Sequence, residues 1–185
     1  MSERFQIIYA DPPWVYRDKG HAGERGAGYR YALMSPKQLA ALRPFIDSIA
    51  AEDCLLAMWW VPPQPAEALQ LVRDWGFDFK TMKGFTWHKV TKNGKDNFGM
   101  GNYTRIGASE DCLFATRGRP KRVSKGVRHM IHAPVRAHSQ KPDEARTRLV
   151  ELMGDVPRIE LFARQKTPGW SVFGNEVESD VKLEV

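Results

Sequence analysis

The sequence predicts an α/β fold: a mostly parallel sheet covered by helices on both faces. Three observations predict it. Short β-rich runs alternate with capped helical segments, the runs are apolar throughout instead of at every second residue, and each stops at proline or at turn-forming residues. With 185 residues, 42% hydrophobic and 27% charged, the chain fits one domain spanning residues 1–185 and has the balance of an ordinary globular protein.

The first run, Phe5-Gln6-Ile7-Ile8-Tyr9-Ala10, ends at Asp11-Pro12-Pro13, where two prolines cannot continue a strand ladder. Glycines then crowd residues 18–30, which read as a flexible loop lacking the strand–turn–helix setting of a phosphate-binding fingerprint. Ser35-Pro36-Lys37-Gln38 combines an N-cap serine, a proline at the first helical position and a capping-box glutamine. A helix begins there, and Pro44 is expected to kink it or split it. Residues 54–60 form a second strand and 65–75 an amphipathic helix stopped by Gly76. Further strands are expected at 77–89, 110–116 and 158–163, and a helix with two acids in its first turn at 142–153. The segments 91–108 and 117–137 read as loops.

Charge and cysteine content narrow the function classes. Lys and Arg number 28 against 22 Asp and Glu, a net charge of +6. Ten of the basic residues fall between Arg117 and Arg148 (Arg117, Arg119, Lys121, Arg122, Lys125, Arg128, Arg136, Lys141, Arg146, Arg148) against Asp143 and Glu144. Such a bias suits an exposed segment lying along a phosphate backbone, and suits equally a solvated basic loop without a ligand. Two isolated cysteines, Cys54 and Cys112, exclude a disulfide framework or a zinc knuckle. The histidines show no metal-ligand spacing, so no metal is expected. The sequence has no membrane-length apolar stretch and no signal-peptide profile, so a cytoplasmic location without a membrane partner is expected.

In a covered parallel sheet, ligands bind beyond the carboxyl ends of the strands. The residues that follow the strands are therefore candidates as a group: Asp11 to Trp14, Trp59 and Trp60, Trp87 to Lys89, Arg117 and Arg164. Asp11-Pro12-Pro13-Trp14 is the sharpest signal among them. An exocyclic amine on adenine is a poor nucleophile, because its lone pair is delocalised into the ring. A carboxylate and a backbone carbonyl that both accept its hydrogens would localise that pair and aim it. Asp11 offers the carboxylate, Pro12 a carbonyl in a rigid setting, and Trp14 a face for a stacked base. The same four residues read alternatively as a strand-terminating turn with a packed tryptophan.

Beyond this tetrapeptide, Tyr9 to Trp14 resembles the catalytic motif of the N(6)-adenine methyltransferases that include the catalytic subunit of the messenger-RNA N(6)-methyladenosine writer. The resemblance continues through residues 31–35, 56–61, 85–89 and 107–118, then His138-Ser139-Gln140-Lys141-Pro142-Asp143, Ile159-Glu160-Leu161-Phe162-Ala163-Arg164 and Gly174-Asn175-Glu176. It implies a Rossmann-like methyltransferase that uses S-adenosylmethionine. Asp11, Pro12, Pro13 and Trp14 would be catalytic. Asp11, Lys141, Glu160, Phe162, Arg164, Asn175 and Glu176 would hold the cofactor. Tyr16, Tyr31, Trp87, Lys89 and Glu110 would line the base side, with Arg117, Lys121, Arg122 and Lys125 on phosphates. The compact size resembles bacterial and phage members, which favours DNA over RNA as the nucleic-acid partner. The alternative functions are an RNA adenosine N6-methyltransferase and a catalytically silent nucleic-acid-binding partner, and the assemblies considered are a homodimer or a complex with a partner subunit.

Overall fold

Both faces of the central strands are buried, because their side chains alternate between two separate cores. The computed structural model describes residues 4–15, 33–97, 99–100, 103–106, 109–136 and 140–182. Seven strands form the main sheet in the order β7-β3-β6-β2-β1-β8-β9: β1 (Phe5–Ala10), β2 (Ala50–Trp60), β3 (Asp78–Val90), β6 (Ser109–Arg117), β7 (Met130–Pro134), β8 (Arg158–Leu161) and β9 (Ser171–Phe173). A small antiparallel pair, β4 (Gly99–Met100) and β5 (Arg105–Ile106), interrupts the 91–108 segment.

Ile8, Leu56 and Met58 face one core with Leu39, Ile46, Leu71 and Trp75, which come from α1 (Pro36–Ala40), α2 (Arg43–Ile49), α3 (Pro65–Asp74) and the turn after α3. Ile7, Tyr9, Leu55 and Trp59 face the other, against Ala145, Leu149 and Met153 of α4 (Asp143–Met153). This two-sided burial explains why the strands read as continuous apolar runs. At about 1.5–3 kcal/mol for each large apolar side chain buried, it supplies most of the drive for folding.

Local chemistry sets the element ends as the sequence implies. Ser35 Oγ accepts the Gln38 N–H at 3.3 Å and Gln38 Oε1 accepts the Ser35 N–H at 2.8 Å, a complete capping box. Pro44 divides the helical stretch into α1 and α2, and stands in the first turn of α2, where its missing N–H breaks no bond. Gly76 (φ 75°) ends α3 in the left-handed region.

Two expectations need correction. The 117–137 segment is not loop throughout: β7 lies inside it and pairs in parallel with β3, from Thr86↔Met130 to Val90↔Pro134. It was hidden because five residues mixing histidine and proline carry little strand signal. The second concerns direction. β1 runs parallel to β2 and β8, but β6 is antiparallel to both β2 and β3, pairing Trp60 with Asp111 and Cys54 with Arg117. Arg117 therefore lies at the end of the sheet opposite Asp11, and not with the other strand-end candidates.

Candidate active site

Four strand ends and the start of α4 converge where β1 stops. Lys141, just before α4, is 7% exposed, and its ammonium lies 2.7 Å from Asp11 Oδ2 and 3.1 Å from Glu110 Oε2. Lys89, near the end of β3, pairs with Glu110 through the other carboxylate oxygen. The Lys141 Nζ also stands 5.5 Å above the Trp59 ring, and the Lys89 Nζ 5.2 Å above Trp87. The result is an alternating chain, Asp11–Lys141–Glu110–Lys89, with tryptophans beneath both cations.

Burial and pairing shift these groups in opposite directions. Burial pushes Asp11 above its ordinary carboxylate value, and Lys141 only partly offsets that. Glu110 also pays for burial, but Lys141 and Lys89 together outweigh it and hold Glu110 below its ordinary value. Burial alone would lower Lys141. The two carboxylates reverse this and raise it.

The Asp-Pro-Pro-Trp turn is tied down on all sides. Trp14 N–H donates to the Pro12 carbonyl at 2.9 Å, and Met34 N–H to the Pro13 carbonyl at 2.9 Å. The Trp14 indole N–H donates to the Trp59 carbonyl at 3.1 Å, and Trp14 is 4% exposed within the core against α1–α3. The open stacking face expected of Trp14 is thus covered by packing, and its side chain braces the turn. Trp87 is likewise buried, with its indole N–H on the Ala133 carbonyl at 2.9 Å. The Pro12 carbonyl keeps a second lone pair, and a carboxylate has about four acceptor sites, so Asp11 can receive amine hydrogens while Lys141 stays bound.

A second group surrounds the end of β8. Both Glu160 oxygens accept from Arg146 of α4, Nε and Nη2 each at 2.7 Å, and the pair is almost fully buried with the guanidinium 5.5 Å from the Tyr9 ring. Asp143 holds Arg146 at 3.0 Å and Arg136 at 2.7 Å. Phe162, the residue after β8, adopts φ 60°, a conformation that non-glycine residues accept only where the surroundings enforce it. Arg164 lies 3.7 Å from Glu176, and its charge helps to restrain the Asp11 shift.

Gly174 makes that approach feasible. A Cβ on it would stand 2.1 Å from the Ala163 carbonyl oxygen, so only glycine lets the 162–164 and 174–176 turns close on each other. Ser179 Oγ accepts the Gly174 N–H at 3.1 Å, and Asp180 accepts the Val172 N–H at 2.9 Å, which folds the following segment back along β9. The exposed Asn175 and Glu176 are thereby presented beside Arg164. This polar cradle fits a cofactor carrying ribose hydroxyls.

Of the residues singled out in the sequence, Asp11, Pro12, Pro13, Trp14, Lys89, Glu110 and Lys141 meet around the turn, with Trp87 beneath Lys89. Glu160, Phe162, Arg164, Asn175 and Glu176 gather beside them at the end of β8. Tyr16 and Tyr31, and the glycine-rich stretch 18–30, lie outside the described residues. Arg117 is held by Asp47 at 2.7 Å and by the Trp75 carbonyl at 2.7 Å, and Lys121, Arg122 and Lys125 follow it at the far end of the sheet. Sequence reasoning had Trp59 among the strand-end candidates, and the structure sets it under Lys141, but it missed the role of Arg146. Arg146 stands three residues after Asp143, a helical ion-pair spacing, but nothing local points to Glu160 across the sheet.

A family model described as MT-A70 matches residues 5–176. The chain belongs to the MT-A70 family. It is similar to the "Type II methyltransferase M.MunI" of Mycoplasma sp, with 31% identity over 201 residues covering 99% of this chain and 82% of that protein. The "N(6)-adenine-specific methyltransferase METTL4" of Homo sapiens is 26% identical over 194 residues, covering 94% of this chain and 37% of that protein. The "N6-methyladenosine RNA methyltransferase MTA1" of Pyricularia oryzae (strain 70-15 / ATCC MYA-4617 / FGSC 8958) is 30% identical over 188 residues, covering 94% and 47%. The chain thus spans under half the length of these last two relatives.

Membership in the MT-A70 family makes the chain an S-adenosylmethionine-dependent adenine-N6 methyltransferase acting on nucleic acid. Among the described residues no group of three or more His, Cys, Asp or Glu could hold a metal ion. No helix among them is long and apolar enough to cross a membrane.

Proposed function

We propose that this MT-A70 protein methylates adenine N6 in an RNA strand, with Asp11 and the Pro12 carbonyl receiving the two amine hydrogens. The observation that carries the adenine chemistry is the Asp11–Lys141 pair at 2.7 Å beside a turn whose backbone is fixed by Trp14. S-adenosylmethionine supplies a methyl group made electrophilic by a sulfonium. Asp11 and Pro12 restrain the amine and concentrate its lone pair on nitrogen. After transfer the amine carries an extra proton, and Asp11, its affinity for protons raised by burial, stands closest to take it. Lys141 then compensates whichever of Asp11 and Glu110 is charged.

On the cofactor side, Lys141 is proposed for the carboxylate of the methionine part, Glu160 and Asn175 for hydroxyls, and Phe162, Arg164 and Glu176 for the wall of the cradle. Arg146 fixes the Glu160 carboxylate in one orientation. On the base side, Glu110 and Lys89 continue the ion-pair chain from Asp11 and Lys141, with Trp87 under Lys89, and Tyr16 and Tyr31 are proposed as further base-side residues on the family resemblance alone.

RNA is placed ahead of the DNA expected from compact size, because relatives named for RNA or for adenosine outnumber the others. DNA is the second reading, supported by the near-complete span of the type II methyltransferase relative. Nucleoside mass spectrometry of digests, after incubation with single- and double-stranded RNA and DNA, decides between them. N6-methyladenosine only in RNA supports the first reading, and N6-methyldeoxyadenosine only in DNA replaces it with the second. Methylation of neither rejects both.

A further inference from the structure

We propose that the substrate strand does not end at the catalytic turn but continues down the β7 edge and seats a distal nucleotide in a second cavity at the opposite end of the sheet. The proposal rests on the nucleic-acid reading above. The cavity, about 460 Å³, lies between the early parts of β2 and β3, the late part of β6 and the end of α4. Its floor is apolar, from Leu55, Phe85 and Phe114, and Lys80, Arg122 and His129 rim it. The two phenylalanine rings meet edge to face, 5.0 Å apart. Gly84 makes room for this wall, since a Cβ there would stand 2.2 Å from the Phe114 ring.

Three observations choose the occupant. First, residues 117–136 contain seven Lys or Arg and no acid. Ion pairs take Arg117 and Arg136, while Arg122 lines the cavity and Arg119, Lys121, Lys125 and Arg128, all exposed, belong to the same 119–129 segment that supplies its Pro120, Val127 and His129. An aromatic floor with a cationic rim suits a planar base bearing a phosphate. Second, exposed Arg128 and Arg136 flank β7 and exposed His132 lies within it, a polar track from the cavity to the catalytic end in which Arg128 carries the charge not already matched by an acid, since Arg136 is paired with Asp143. Third, Arg148 donates to the carbonyls of Arg128 and Met130, so this part of the edge is already covered against addition of another protein strand.

The register sets the span. From Glu110, beside Lys141, to Thr116 at the cavity is six residues along β6, or about 20 Å at roughly 3.3 Å per residue. That equals about six nucleotides at roughly 3.4 Å per nucleotide of duplex strand.

The test compares KM for adenine-containing oligonucleotides of about 5 and about 20 nucleotides in one sequence context at low salt. The wild-type protein is expected to favour the longer one by about 10-fold or more, the scale of a few phosphate contacts. In Lys80→Glu/Arg122→Glu, and separately in Val127→Trp, which fills the cavity from its wall, that ratio should fall towards one. Melting curves verify that each variant is folded. A photoreactive base about six nucleotides from the adenine should crosslink within residues 114–129. An undiminished ratio in both folded variants, with crosslinks elsewhere, overturns the proposal. So does an unchanged ratio accompanied by loss of self-association, which would give this face to a second copy of the chain. Methylation of neither oligonucleotide would instead strike the nucleic-acid reading itself.

Discussion

The two ends of the sheet are both rich in lysine and arginine, yet they treat these charges oppositely. At the catalytic end Lys141 and Arg146 are each about 7% exposed and matched by carboxylates, Asp11 and Glu110 for the first, Glu160 and Asp143 for the second. At the other end five cations around the 118–129 stretch stand in solvent with no acid in their segment. Buried charge must be compensated to exist at all, and it then holds a precise geometry. Exposed charge is screened, adaptable and sensitive to salt. One end is therefore suited to chemistry at a fixed atom; the other, on the readings proposed above, would hold a polyanion through exposed, salt-sensitive contacts.

Breaking the fixed end should have the largest effect. Asp11→Ala should reduce methyl transfer by about 10³-fold or more while the protein still melts cooperatively, because it removes the acceptor that aims the amine. A tritiated-methyl assay at near wild-type turnover would sink the assignment. Next comes Arg146→Met, which leaves Glu160 buried without its two hydrogen bonds. Loss of a buried partner costs about 3–5 kcal/mol, so Tm should drop by roughly 10 °C. A fall of only a degree or two would mean that the pair is not closed in solution.

The acid limb of activity sharpens the comparison further. Asp11 must be ionised to accept the amine, and burial raises its pKa, so the rate should fall with acidification at a pH above the ordinary aspartate value. A limb at or below the ordinary aspartate value would contradict it. Stability should respond through Glu110 with the opposite sign. Its folded pKa is lowered, so its contribution is present above 4.5 and is lost as pH falls through the folded value. Glu110→Gln should flatten that part of a Tm-against-pH curve, and an unchanged slope would exclude the linkage. The smallest change is expected at the exposed end. Neutralising Lys121, Arg122 and Lys125 together should reduce the log–log salt slope of nucleic-acid affinity by about 2–3, whereas an unaltered slope would leave the loop without phosphate contacts.

Much of the active end was legible because its signals are local. Asp11-Pro12-Pro13-Trp14 announces a rigid turn after an apolar strand, and the capping box at Ser35 and the glycine at 76 mark ends that backbone geometry alone enforces. The basic window was read correctly as composition and only partly as surface. Of its ten cations, Arg117, Arg136, Lys141, Arg146 and Arg148 are ion-paired: Arg148 with Glu144 at a spacing the expected helix makes legible, but Arg117 with Asp47, Arg136 with Asp143, Lys141 with Asp11 and Arg146 with Glu160, acids that no helical spacing singles out.

By itself, the sequence determined the alternation of strands and helices, the two-sided burial of the sheet and the turn that holds Asp11, since each follows from neighbours within a few residues. Only the tertiary structure decided that β6 runs against its neighbours, that Arg117 and the exposed cations lie away from Asp11, and that Lys141 and Arg146 are interior charges. Strand direction and ion pairing depend on which distant segments meet, and a cation's spelling in the chain is the same whether it faces water or a buried carboxylate.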